Sequence, residues 1–385
     1  MIFWIMLIWV IVIGFFQPKM SKTKLDSNGT YEEKVSCGYC ILIWSVPLFF
    51  ICMCTSFGDK ASYLAHFRGS PLAFEKLEKF VSTWEKSSLF YGLQGIVKIL
   101  IIKNETLWFS IIAIVQAFCI TRTLRQYSVN FAMSMFIFTS STLMMSWMCN
   151  GIRQFIIVTV MFACTDWILK GKWIRFVLLT LVFSGIAPIA KMMGINHVSM
   201  WFGGFHQSAL IMIPVYFCLR GKAFNKRMWI ILAITVVLLL SGSFSGILSN
   251  TAYGQDLNQE DYQIGMNPVR FFVSLVPIIL VLVKYKDIKE MNHNPIIDLC
   301  INASIITATL YLISIFTSGE LVGRLPIYTE LYNLILIPWL IEKVYISHSQ
   351  WIRAGLYGGY IAYFFYQVNI AWAASPYQSS ILGIY

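Results

Sequence analysis

The sequence predicts an all-α polytopic integral membrane protein of about twelve transmembrane helices, and three observations carry that expectation. Apolar residues make up 58% of the 385 and charged residues only 12%, far from the balance of a soluble globular chain. Those apolar residues gather into runs close to the roughly 20 that a helix needs to cross a bilayer, the shortest of them marginal. The basic residues then alternate from one connector to the next, as they do when they set the topology of a membrane protein.

The runs lie near residues 1–16, 39–56, 106–121, 129–148, 152–169, 173–190, 205–219, 228–248, 269–284, 297–317, 327–346 and 352–372. Connectors 17–38, 122–128, 170–175, 220–227, 284–290 and 342–353 hold 18 of the 29 Lys and Arg. On the opposite side, outside the long connector 57–104, only Arg153, Lys191, Arg270 and Arg324 remain. Positive-inside bias therefore places both termini outside the cytoplasm and brings Arg153 and Arg324 to the same outer face. The net charge of +11 belongs to this topology signal and implies no affinity for nucleic acid.

The first run is apolar from the start and has neither a basic leader nor a small-residue cleavage site, so it reads as a retained span. Cys37-Gly-Tyr-Cys40 has metal or redox spacing, but no second pair or nearby His completes it, and it reads as structural. The other seven cysteines mostly sit inside apolar runs, where Cys behaves as a small hydrophobe.

Connector 57–104 carries Asp59 and Tyr63 close to the membrane. Ser70-Pro71 then reads as a helix start. Leu77, Phe80, Val81 and Trp84 share one face of that helix, and Phe90, Leu93, Val97 and Leu100 share one face of the next. Both are amphipathic helices suited to the bilayer surface or to capping the bundle. The stretch 186–204 is a second outer element, leading to Phe205-His206-Gln207-Ser208. Connector 249–268, with Asn250, Asp256, Glu260, Asp261 and Asn267, is polar and mildly acidic. No repeat or linker divides the chain, which is expected to form one membrane domain over 1–385.

Arg153 is the central candidate. It lies in Trp147-Met-Cys-Asn150-Gly-Ile-Arg153-Gln154-Phe155, at the mouth of a membrane helix, where a charge is costly and marks a functional site by default. Its planar fork suits phosphate or carboxylate. Arg324 stands at another outer helix mouth, with Glu320 four residues before it and Tyr328 four after; pairing of Glu320 with Arg324 is the plainer reading of that spacing. His206 heads an apolar helix, where a histidine caps or packs as readily as it reacts; with an ordinary pKa of about 6.5 it can also serve as a base or a donor. His197 carries less weight. Arginines at a membrane face suit an anionic lipid headgroup, and loss of a pyrophosphate leaving group needs such stabilisation. A sugar hydroxyl as nucleophile needs a base. Walker, Rossmann, G-x-S-x-G and H-E-x-x-H motifs are all absent, so no nucleotide, metal or other cofactor is called for.

Asn150-Gly-Ile-Arg-Gln154, Phe205-His-Gln-Ser-Ala209 and Gly323-Arg324, in that order, resemble bacterial polysaccharide polymerases of the Wzy type, in particular their EpsG-like branch. Asp59…Tyr63 is similar to that family's early D-x-x-x-Y element, and Pro376-Tyr377 to its late Pro-Tyr. One departure is that residues 186–204 intervene where the F-H-x-S element usually follows the preceding helix closely. The resemblance implies a membrane glycosyltransferase, with a GT-C-like core. It would transfer a growing undecaprenyl-pyrophosphate-linked glycan onto a new lipid-linked repeat unit, at the periplasmic or extracellular face of the bacterial cytoplasmic (inner) membrane. The product would be O-antigen, capsule or exopolysaccharide, and a flippase and a chain-length regulator would be further partners. Arg153 and Arg324 would then bind pyrophosphate, and His206 would act on the acceptor hydroxyl or orient the headgroup. Asp59 would be a second base, and Asn150, Gln154, Tyr63, Glu320 and Tyr328 would support them. Two other classes fit less well. A membrane O-acyltransferase of surface glycans should carry its Arg/His pair in the first spans, and a flippase of lipid-linked oligosaccharide should show two similar halves.

Overall fold

The structure is a computed structural model. It describes residues 1–385 except 18–20, 26–30, 85–86, 188–189, 191–192, 194–199, 241–264 and 292. Expectations for His197, Lys191, Asn250, Asp256, Glu260, Asp261 and most of 186–204 and 249–268 fall outside the described residues. What is described is mostly helical, and it includes a strand pair that the all-α expectation lacks. Ser21–Leu25 (β1) and Tyr31–Val35 (β2) form an antiparallel pair in register from Ser21↔Val35 to Leu25↔Tyr31.

Helices occupy the expected apolar runs, but many are short or broken. Among the described residues, Glu105–Tyr127 and Pro295–Phe316 are long and apolar enough to cross a bilayer. Phe131–Ser140 with Leu143–Asn150 makes a third span if the pair, bent by 67°, counts as one. The bend follows from Thr142, whose φ of 63° cannot continue a helix. The run 152–169 breaks at Cys164, and 327–346 is divided at Leu331 and Tyr332.

Glu105–Tyr127 shows why these are membrane helices. Leu107, Ile111, Ile114, Val115 and Phe118 form an exposed apolar stripe, while Trp108, Phe109, Ile112, Ala113, Gln116 and Ala117 are buried on the other side. A helix apolar on both its packed and its outward face is suited to lipid rather than water. The protein is a membrane protein.

Two compact units make up the chain. The first comprises Met1–Gly69, Ile102–Ala163 and Ile337–Tyr385. In it Glu105–Tyr127 packs on Cys37–Met53 and on Ile152–Ala163, and Ile2–Gly14 packs on Phe131–Ser140. The C-terminal tail is tied to the exit of Cys37–Met53: Tyr377 donates to the Phe50 carbonyl at 2.8 Å, and Ser379 to that of Met53 at 2.6 Å.

The second unit comprises Ser70–Ile101 and Cys164–Leu336. Pro295–Phe316 is its centre, packed by Val269–Val283, Met212–Leu219, Lys226–Leu240 and Ile327–Glu330. Two details of the amphipathic connector differ from expectation. Pro71 opens no helix; regular turns begin at Phe74 and the α-helix runs Leu77–Ser82. The reason is that Ser70 is engaged elsewhere, its hydroxyl accepting from Gln94 at 2.8 Å and its carbonyl from Lys98 at 2.7 Å. Those bonds also rotate the Ser88–Leu100 helix, which buries Phe90, Tyr91, Gln94 and Lys98. Leu93 and Leu100 are left exposed, an apolar edge of the kind an interfacial helix presents to lipid.

Candidate functional site

In the first unit the path of the chain around Gly58 and Gly151 assembles a polar cluster. Asn150 ends the bent second half of its helix pair, and Gly151 follows, so close to the Trp147 ring that a Cβ there would collide with it. The Ile152–Ala163 helix then starts, which places Arg153 in its first turn. Gly58, at φ +53°, turns the chain beneath Asn150; a side chain there would be strained and would strike Asn150. Asn150 Oδ1 accepts the Asp59 N–H at 2.7 Å, satisfying a backbone donor at the start of the Lys60–Gly69 helix.

Lys60–Gly69 carries Tyr63 to Arg153. Arg153 Nε donates to the Tyr63 hydroxyl at 3.4 Å, and Arg153 Cζ lies 5.5 Å from the centre of the Tyr63 ring, so the guanidinium is held on an aromatic side chain. Asp59 is exposed, Arg153 is half-buried, and Gln154 is buried. The expected Tyr63 and Arg153 therefore meet, and Asp59 meets Asn150 through its backbone N–H.

Two neighbours escaped sequence reasoning. Lys60 is only 1% exposed, and its ammonium lies 5.0 Å from the Phe109 ring centre. His66 sits one turn beyond Tyr63, and burial first, then the Arg153 guanidinium, hold its pKa below the usual imidazole value. The available signal was spacing, since Asp59, Tyr63 and His66 recur at steps of four and three and so share one helical stripe.

In the second unit, a close backbone approach positions His206. Gly185, at φ +75°, and Gly204, at φ +69°, lie against each other's chain, so that a Cβ on either would meet backbone atoms. The Phe205 and His206 N–H groups both reach the Phe183 carbonyl, at 2.7 and 3.2 Å. The helix Trp173–Ser184 is thus joined directly to the Phe-His-Gln-Ser segment, despite the residues between them in sequence. His206 Nδ1 meets the Ser208 hydroxyl at 2.7 Å, and Ser208 meets the Tyr328 hydroxyl at 3.0 Å. Ser208 is the link that sequence reasoning did not single out.

Arg324 pairs with Glu320, as their spacing allows, although the segment is a run of turns rather than a helix. Glu330 accepts from the Tyr311 hydroxyl at 2.7 Å, another contact that went unread in the sequence.

A family model matches residues 38–186 and 198–379, and its description is the EpsG family. The chain belongs to the EpsG family. Both motif groups lie within the matched segments of this EpsG chain, and the interval between those segments falls inside 186–204. EpsG membership agrees with the resemblance to membrane proteins of the polysaccharide-polymerase type. No curated protein and no solved structure shows a significant match.

Proposed function

We propose that this EpsG-family protein polymerises polysaccharide at the outer face of the bacterial cytoplasmic membrane. It would transfer a growing undecaprenyl-pyrophosphate-linked glycan onto a new lipid-linked repeat unit. The acceptor hydroxyl oxygen bonds to the donor's anomeric carbon and gives its proton to a base. The anomeric carbon–oxygen bond breaks, and its electron pair leaves with the lipid pyrophosphate.

The observation that carries this reading is Arg153. A cation in the first turn of a helix opposes the helix dipole, and a bound anion there would be favoured by both the guanidinium and the positive end of that dipole. Tyr63 fixes the guanidinium, and Asn150 holds the helix that bears Tyr63. Arg324 is the second pyrophosphate ligand, released from Glu320 when the lipid binds. His206, held by Ser208 and Tyr328, acts on the acceptor hydroxyl or orients the headgroup, and Asp59 is a second base. Gln154 supports the Arg153 turn. The lipid-linked donor carries its own leaving group, so the reaction needs no nucleotide sugar. A flippase and a chain-length regulator are proposed partners.

The test in cells is Arg153→Ala. Long glycan chains should disappear while the protein stays at wild-type level in the membrane. Unaltered chain length would remove Arg153 from the reaction.

A further inference from the structure

Lys60–Gly69 presents two different faces, and only one of them belongs to Arg153. Lys60, Leu64 and Phe67 are buried, with Lys60 turned to Phe109 and Phe67 also in ring contact with Phe109. Asp59, Tyr63 and His66 form the neighbouring stripe, since steps of four and three residues return to nearly the same side of a helix. Tyr63 on that stripe contacts Arg153, and the Arg153 charge reaches His66 as well. His66 is half-buried, so it is both sheltered and approachable.

We propose that His66 is a catalytic residue of this site, accepting the proton of the incoming sugar hydroxyl beside the anion that Arg153 holds. The proposal rests on the polymerase reading above and moves the base from His206 to His66, leaving His206 to orient the headgroup. The charges around His66 are consistent with a base. Arg153 comes from the Ile152–Ala163 helix. Glu105 opens Glu105–Tyr127 and is occupied by Arg68 at 2.8 Å. Asp59 and Lys60 lie at the start of its own helix, Asp59 on the same stripe and Lys60 facing away. Burial and Arg153 both disfavour the imidazolium, so the ring stays neutral, and able to take a proton, below the ordinary value of about 6.5. In the step, the acceptor O–H bond breaks, its proton passes to the imidazole, and the oxygen bonds to the anomeric carbon. The diphosphate leaves with the electron pair, and the imidazolium later releases its proton to water.

The experiment uses the full chain in liposomes with undecaprenyl-pyrophosphate-linked repeat units, followed in single turnover from pH 5 to 9. Binding of the pyrophosphate lipid is measured in parallel. The wild-type rate should fall as pH drops through a value below 6.5. His66→Gln should lower the rate by roughly 100-fold, the scale of general base catalysis, lose that acid limb and keep lipid binding within about two-fold. Added imidazole should restore part of the rate to His66→Ala. A wild-type rate and acid limb in His66→Gln would overturn the proposal and leave the polymerase reading standing. So would a rate loss that keeps the acid limb and resists imidazole. If His66→Gln fails to fold, His66→Asn replaces it in the same assays, and a wild-type rate and acid limb in that variant overturn the proposal. No product from the wild-type protein would overturn the polymerase reading, and this proposal with it.

Discussion

Arg153 gathers its significance from what surrounds it rather than from its charge alone. Tyr63 supports one edge of the guanidinium, and the planar fork is the group suited to phosphate oxygens. Arg153→Lys should therefore be nearly as inactive as Arg153→Ala, because an ammonium cannot reproduce a paired contact with phosphate oxygens; glycan chain length in membranes of each variant checks this. Arg324 is different, since Glu320 already holds it. Glu320→Gln should tighten binding of the pyrophosphate lipid by up to about five-fold, the scale of an exposed ion pair worth ~1 kcal/mol. Arg324→Ala should weaken that binding, and unchanged affinity in Arg324→Ala would exclude Arg324 as a ligand. Arg153 was legible in the sequence because a charge at a helix mouth stands out among apolar residues. Lys60 and His66 were not, because a lysine and a histidine in a polar connector look solvated until the helix turns one of them inward.

At the scale of elements, two junctions hold the site groups. In the first unit, Gly58 and Asn150 fit one into the other. Asn150→Ala should cost about 1 kcal/mol, as loss of a helix cap does. Gly58→Ala should cost at least as much, because its φ is positive and its space is taken. Thermal unfolding in detergent measures both, and the two losses should be less than additive because they act on one contact. In the second unit, Ser208 joins His206 to Tyr328, so Ser208→Ala and Tyr328→Phe should reduce activity to similar extents and combine with little further loss. The N-x-x-R-Q and F-H-x-S segments could be found by pattern alone. Their supports were hidden, since Gly185 meets Gly204 only through the folded backbone. The Ser70-Pro71 helix start was misread because its capping groups are bound by Gln94 and Lys98.

For the whole molecule, helical class and membrane character followed from composition, and the exposed apolar stripe of Glu105–Tyr127 gives them a physical form. Span count was less legible, because hydropathy does not reveal a break such as the one at Thr142. Topology is open to direct measurement. With Cys37 replaced by serine, a cysteine at exposed Glu78 should react with a membrane-impermeant thiol reagent in intact cells, whereas one at exposed Lys222 should react only after permeabilisation. The reverse pattern would invert the proposed orientation.

The central claim is that pyrophosphate-linked repeat units are joined by this chain through Arg153. Its most direct test is purified protein in liposomes, given undecaprenyl-pyrophosphate-linked repeat units and no nucleotide sugar, with the products separated on a gel. The account predicts a ladder spaced by one repeat unit, absent with Arg153→Ala. Unchanged substrate from folded wild-type protein across several repeat units, or an equal ladder from the Arg153→Ala protein, would contradict it.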